Sequence, residues 1–203
     1  PFANIFIPPE QLDGQYGDDL FPRDFLINLP TPSDHIGPTK IFGLRTEPGL
    51  DIEPIDPLPL IVTVGDHEDL IPNVHRKDWI IESLPESLRN AIRAFVVVCA
   101  ARSARGQATE HNSMLVHVTR FNNVQSQVFE QVNDELKDIQ NRLRYGDGST
   151  SFRILDELEQ MWKEEFETIS AKIRYSEPEL MSLCTSVTWG EVQKHLVSAS
   201  QKI

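Results

Sequence analysis

A chain of 203 residues, 39% of them hydrophobic, can bury a sizeable core without disulfides, and its two cysteines, Cys99 and Cys184, sit in apolar segments that suit a reducing compartment. The net charge of −12, taken as a sum, argues against nucleic acid as a partner. No apolar run approaches the ~20 residues that cross a bilayer and no basic stretch precedes an apolar one, so a cytoplasmic protein with no membrane contact is expected.

The first element in chain order is a short strand over 3–7, closed by Pro8-Pro9. The apolar start without an initiator Met reads as a piece cut from something longer. Residues 10–60 hold most of the 14 prolines, which forbid long helices and central strands. Phe21, Phe25, Leu26, Ile27, Phe42 and Leu44 are too apolar for a free linker, so an ordered but irregular Pro-rich segment is expected over 1–80, with one more short strand at 60–66. Ser83-Leu-Pro-Glu86 has the form of a capping box. It opens a helix from Leu84 to about Arg105 that is apolar on nearly every side and therefore buried, ended by Gly106.

Met114-Leu-Val-His-Val118 has the length and β-branching of a strand. Val124, Val128, Val132, Leu136, Ile139 and Leu143 then recur at helical spacing and predict an amphipathic helix over 123–145. A turn at 146–151 leads to a second long helix through Ile154, Leu158, Trp162, Phe166 and Ile173. The pair predicts an acidic antiparallel hairpin over 123–175. Thr188-Trp-Gly-Glu191 is a second capping box, predicting a helix that runs to residue 203. The expected fold is α/β: a small sheet with about four main helices, 81–203 forming the helical part.

Charge is unevenly spread. Residues 1–79 carry a net −9 and residues 130–179 a net −6, whereas residues 80–129 carry five arginines against three glutamates. The basic stretch contains Thr119-Arg120-Phe121-Asn122-Asn123, where the predicted strand gives way to the predicted helix. A hydroxyl, a guanidinium and the unpaired amides of a helix start converge there, a chemistry suited to phosphate. The alternative is structural: Asn122 or Asn123 caps the helix and Arg120 pairs with a surface carboxylate.

Other chemistries find less support. Asp66-His67-Glu68-Asp69 with His75 lacks metal-ligand spacing and reads as a solvated acidic loop. Glu135-Leu136-Lys137 supplies the letters of a magnesium nuclease motif but falls inside the helical period. There is no nucleophile elbow and no Gly-x-x-x-x-Gly-Lys-[Ser/Thr] loop. No catalytic residue, metal site or cofactor is expected within this chain.

The stretch "LPESLRNAIRAFVVVCAARSARGQ…HNSMLVHVTRFNNVQSQV", with "PFANIFIPP", "LFPRDFLINLP" and "DHIGPTKIFG" before it, resembles the Z1 domain family, to which the label endonuclease is attached. The resemblance covers nearly the whole chain, and its specific part is 84–128. It implies a bacterial parent protein built as a helicase-like ATPase that uses ATP and magnesium and acts on DNA in restriction or defence systems. Pro1 would close a first RecA-like lobe, and the chain would hold the crossover and an incomplete second lobe. Thr119, Arg120 and Asn122 would then contact the nucleic-acid backbone, with Arg102, Arg105 and Gln107 in support. The alternative is an interaction module whose acidic hairpin docks a nuclease or methyltransferase of a restriction system.

Overall fold

A computed structural model describes residues 36–45, 53–149, 153–182 and 184–203, and every element below belongs to the unit Pro38–Ile203. Ten helical segments follow in order: α1 (Pro38–Phe42), α2 (His67–Leu70), α3 (Glu86–Ala104), α4 (Asn122–Tyr145), α5 (Ile154–Met161), a π-helical segment (Trp162–Glu167), α6 (Thr168–Ser176), α7 (Pro178–Ser182), α8 (Trp189–Gln193) and α9 (Leu196–Ser200).

The α/β expectation is wrong for this structure. Among the described residues there is no sheet; the only β pairing is an isolated antiparallel bridge between Leu44 and Ile55. The expected strand at 3–7 and most of the Pro-rich segment lie outside the described residues. The runs 60–66 and 114–118 have no strand partner among the described residues, so the small sheet and the incomplete RecA-like lobe fall together.

The physical reason is visible at Met114–Val118. Its period-2 alternation is realised: Met114, Val116 and Val118 are partly buried, whereas Leu115 is 88% exposed and His117 faces solvent. The inward side chains pack against helices, and the backbone groups of 114–118 make no hydrogen bond within the described residues. Alternation buries one face, but a strand becomes a sheet only when a neighbour completes the ladder.

α3 is the central element, and beyond Glu86 none of its residues is exposed. It packs on α4, α5, α8 and α9. Val96, Val97 and Ala100 from α3 meet a core that includes Val124 and Val128 from α4, Leu158 from α5 and Val192, Leu196 and Ala199 from the C-terminal helices. Each fully buried Val or Leu contributes roughly 1.5–3 kcal/mol by leaving water. The Ser83–Glu86 capping box does not form: Pro85 is the N-cap, without a side-chain cap. Asp66, at the start of α2, reaches across instead and accepts the Ser87 amide at 2.9 Å. The Ser87 hydroxyl and amide together hold the Asp66 carboxyl below its usual value.

The helix predicted over 123–145 spans Asn122–Tyr145 and ends at Gly146, whose φ of 89° suits glycine and whose amide caps Arg142. The predicted second helix is continuous from Ile154 to Ser176 but contains a wide π turn. There the Trp162 indole donates to Glu167 five residues on, at 2.8 Å. The Thr188–Glu191 capping box forms, and the Thr188 amide and hydroxyl depress the Glu191 carboxyl. The helix it opens does not run to the end: it breaks after Gln193, and His195 caps α9. No helix among the described residues is long and apolar enough to cross a membrane.

Candidate nucleic-acid interface

The N-terminal end of α4 is built by the residues before it. Thr119 is buried, at 6% exposure, and its hydroxyl lies 2.7 Å from His75 Nε2. His75 Nδ1 lies 3.0 Å from the Pro72 carbonyl, which can only accept. In the Nδ1-protonated tautomer His75 donates to the Pro72 carbonyl and accepts a hydrogen bond from the Thr119 hydroxyl at Nε2. The Phe121 amide donates to Thr119 Oγ1 at 3.3 Å, and the Gln125 side chain donates to the Thr119 carbonyl. The Phe121 ring meets the His75 ring edge-on at 5.4 Å. This clasp turns the extended segment into the helix.

Arg120 emerges from the clasp exposed. Its guanidinium lies 5.1 Å from the Phe121 ring centre and makes no hydrogen bond or ion pair within the described residues. It borders a shallow open cleft of about 520 Å³ with Lys77, Asp78, Phe121, Asn122 and Asn123. The Asn123 side chain donates to the Lys77 carbonyl at 3.2 Å, tying the two lips together. The first backbone hydrogen bond of α4 is given by the Gln125 amide to Phe121 at 3.0 Å. The amides of Asn122, Asn123 and Val124 precede it without an intrahelical partner. Two cations face one carboxylate, Asp78, and a helix N-terminus adds partial positive charge.

The structure brings Thr119, Arg120 and Asn122 together and places the other three candidates elsewhere. Arg102 donates to Gln107 Oε1 at 3.1 Å, to the His111 carbonyl at 2.8 Å and to Asn112, pinning the loop after α3. Arg105 Nε donates to the Thr185 carbonyl at 3.0 Å. These residues lie at the C-terminal end of α3, whereas 114–118 share a cleft with Pro85, Ser87 and Leu88 at its N-terminal end. Sequence reasoning missed Lys77 and weighed His75 only as a metal ligand, whereas Phe121 stood inside the Thr119–Asn123 stretch it singled out. Arg76-Lys77, the one adjacent basic pair in the strongly acidic first 79 residues, was the available signal.

The magnesium-nuclease letters are accounted for differently. Glu135 accepts from Arg89 at 3.1 Å and lies 3.6 Å from Arg93, while Lys137 turns outward to Asp134. A carboxylate held by two guanidinium groups is not free to ligate a cation. Among the described residues no cluster of His, Cys, Asp and Glu could hold a metal ion. The Asp66–Asp69 run is used locally: Asp66 caps α3 and Glu68 accepts from Asn73. The sequence holds no phosphate-cradling Gly-x-x-x-x-Gly-Lys-[Ser/Thr] loop.

The sequence model of the Z1 domain matches residues 87–203, more than half of the chain. The chain belongs to the Z1 domain family. The matched region holds α3, the clasp residues Thr119 and Phe121, Arg120 and every later helix, whereas Lys77 and His75 precede it. Neither the curated proteins nor the solved structures contain a match to this Z1 chain.

Proposed function

We propose that this Z1 chain holds a nucleic-acid backbone at the N-terminal end of α4, as a non-catalytic part of a larger helicase-like ATPase acting on DNA. ATP and magnesium would be handled by other parts of that protein, in a restriction or defence setting. The observation that supports the reading is Arg120: an exposed guanidinium without a carboxylate partner, beside Lys77 and the first amides of α4, in a chain of net charge −12. Guanidinium, ammonium and helix-start amides are the donors that position a phosphate without reading sequence. In this reading Thr119 and His75 position Arg120 and touch no phosphate.

The test is fluorescence anisotropy of the chain with a labelled duplex across a salt series. Weak binding that falls steeply with salt is expected. Arg120→Ala and Lys77→Ala should each weaken it and lower the salt slope by about one. Binding that neither variant changes would remove the reading. In the larger protein, Arg120→Ala should lower DNA-stimulated ATP hydrolysis.

A further inference from the structure

A second cleft, about 320 Å³, lies away from the α4 site and is walled by the π-helical segment, α6 and the strand-like run 184–188. π turns frequently mark functional positions. Within this one Phe166 stacks on Trp162 four residues before it, with ring centres 5.6 Å apart and planes at 16°. Phe166 is partly buried and supplies an aromatic wall. Trp162 Nε1 donates to Glu167, which occupies one oxygen of the only carboxylate lining the cleft.

The remaining polar groups are nearly all donors. Arg105 and Arg174 both line the cleft. Arg105 uses only its Nε, on the Thr185 carbonyl, so both terminal nitrogens remain available. Arg174 makes no ion pair or hydrogen bond within the described residues, and neither do the hydroxyls of Ser170, Thr185 and Ser186. Two guanidinium groups and three hydroxyls thus line one cleft that holds a single carboxylate, and planar guanidinium matches a phosphate dianion with paired hydrogen bonds. The volume falls at the lower end of small-molecule sites.

We infer that this cleft binds a small phosphate monoester carried on a planar ring, the phosphate between Arg105 and Arg174 and the ring against Phe166. The same chemistry occurs in a nucleoside monophosphate and in an aryl phosphate. Isothermal titration of the chain with AMP, phenyl phosphate, adenosine and inorganic phosphate separates the cases. Saturable binding of AMP or phenyl phosphate, tighter than inorganic phosphate and absent for adenosine, is expected, and the tighter of the two esters names the source.

Arg174→Gln, which removes no intramolecular partner, should weaken that binding roughly tenfold or more, as should Arg105→Gln. Arg174→Lys should recover part of it, and Arg120→Ala should leave it unchanged. Inorganic phosphate binding as tightly as the esters would overturn the role of the ring. No saturable binding, or binding indifferent to Arg174→Gln, would overturn the site. Duplex binding at α4 is read out separately by Arg120→Ala, so failure of either site leaves the other standing.

Discussion

Two groups of arginines in this chain have opposite fates. Where α3, α4 and α5 meet, Arg89, Arg93 and Arg142 are each paired with at least one carboxylate. Arg93 reaches Glu86 at 2.9 Å and lies 3.5 Å from Glu157, within ion-pair range, although its Nε is out of line for a hydrogen bond. Arg142 donates to Glu157 at 3.0 Å and to Asp147 at 2.9 Å. At the N-terminal end of α4, Arg120 and Lys77 line an open cleft with a single carboxylate, Asp78, and pair with no acid within the described residues. Residue type does not separate the two groups. What separates them is how many acidic neighbours the fold delivers, and that decides whether a guanidinium is internal glue or a handle for an external anion.

Replacing a member of the closed network should break this contrast most visibly. Arg93→Ala leaves Glu135 and Glu157 partly buried with fewer counter-charges, since the Arg93 side chain is only 15% exposed. A loss of about 2–4 kcal/mol in urea unfolding is expected. A loss no larger than that of Arg120→Ala would show that the closed network is not structural.

The clasp comes next. Thr119→Val removes the hydroxyl partner of His75 Nε2 and of the Phe121 amide in a buried position. About 1–2 kcal/mol should be lost in the same measurement. A change within error would mean that the turn into α4 does not rest on that hydroxyl.

The third test uses acid. Burial pushes the Asp147 carboxyl up, but the Ile154 amide and the Arg142 guanidinium more than offset it, and the group sits below its usual value. A carboxyl whose folded pKa is depressed stabilises the fold above its unfolded pKa, and that stabilisation is lost as pH falls through the folded pKa. Melting temperature should therefore fall on acidification, and Asp147→Asn should flatten part of that fall while lowering stability at neutral pH. Asp66 and Glu191, also depressed by hydrogen bonds, contribute with the same sign. A variant with an unchanged acid profile would remove Asp147 from the account.

The smallest stability effect belongs to the open site. Arg120→Ala should change unfolding free energy by no more than about 0.5 kcal/mol, because within the described residues the side chain has no hydrogen bond or ion pair to lose, only its contact with the Phe121 ring. A larger destabilisation would show that Arg120 holds the fold and is not a free cation.

Much of the helical architecture was legible because it rests on local signals. The 4- and 3-residue spacing from Val124 to Leu143 admits one buried face, and α4 follows it. The Thr188–Glu191 box is satisfied within four residues and forms as read. Local signals failed where the partner was distant. Ser83 and Glu86 had the spacing of a cap, but Asp66, 21 residues upstream of Ser87, takes the amide. Met114–Val118 had the alternation of a strand, but a ladder requires a second segment that no local pattern supplies.

The candidate site divides along the same line. Thr119, Arg120 and Asn122 are neighbours in sequence and stay together, whereas Arg102, Arg105 and Gln107 were linked to them only by proximity along the chain. A 19-residue helix is about 28 Å long, and they remain at its far end.

The sequence by itself determined where the long helices α3, α4 and Ile154–Ser176 lie, where α4 starts and that a guanidinium stands at that start. Periodicity and backbone chemistry act over a few residues and need no distant partner. Only the tertiary structure decided that Thr119 turns inward to His75, that Lys77 lines one cleft with Arg120 and that Arg105 lines another with Arg174. Each of those pairings lies 43 to 69 residues apart in the chain. Contacts at that separation are set by which surfaces the core brings together.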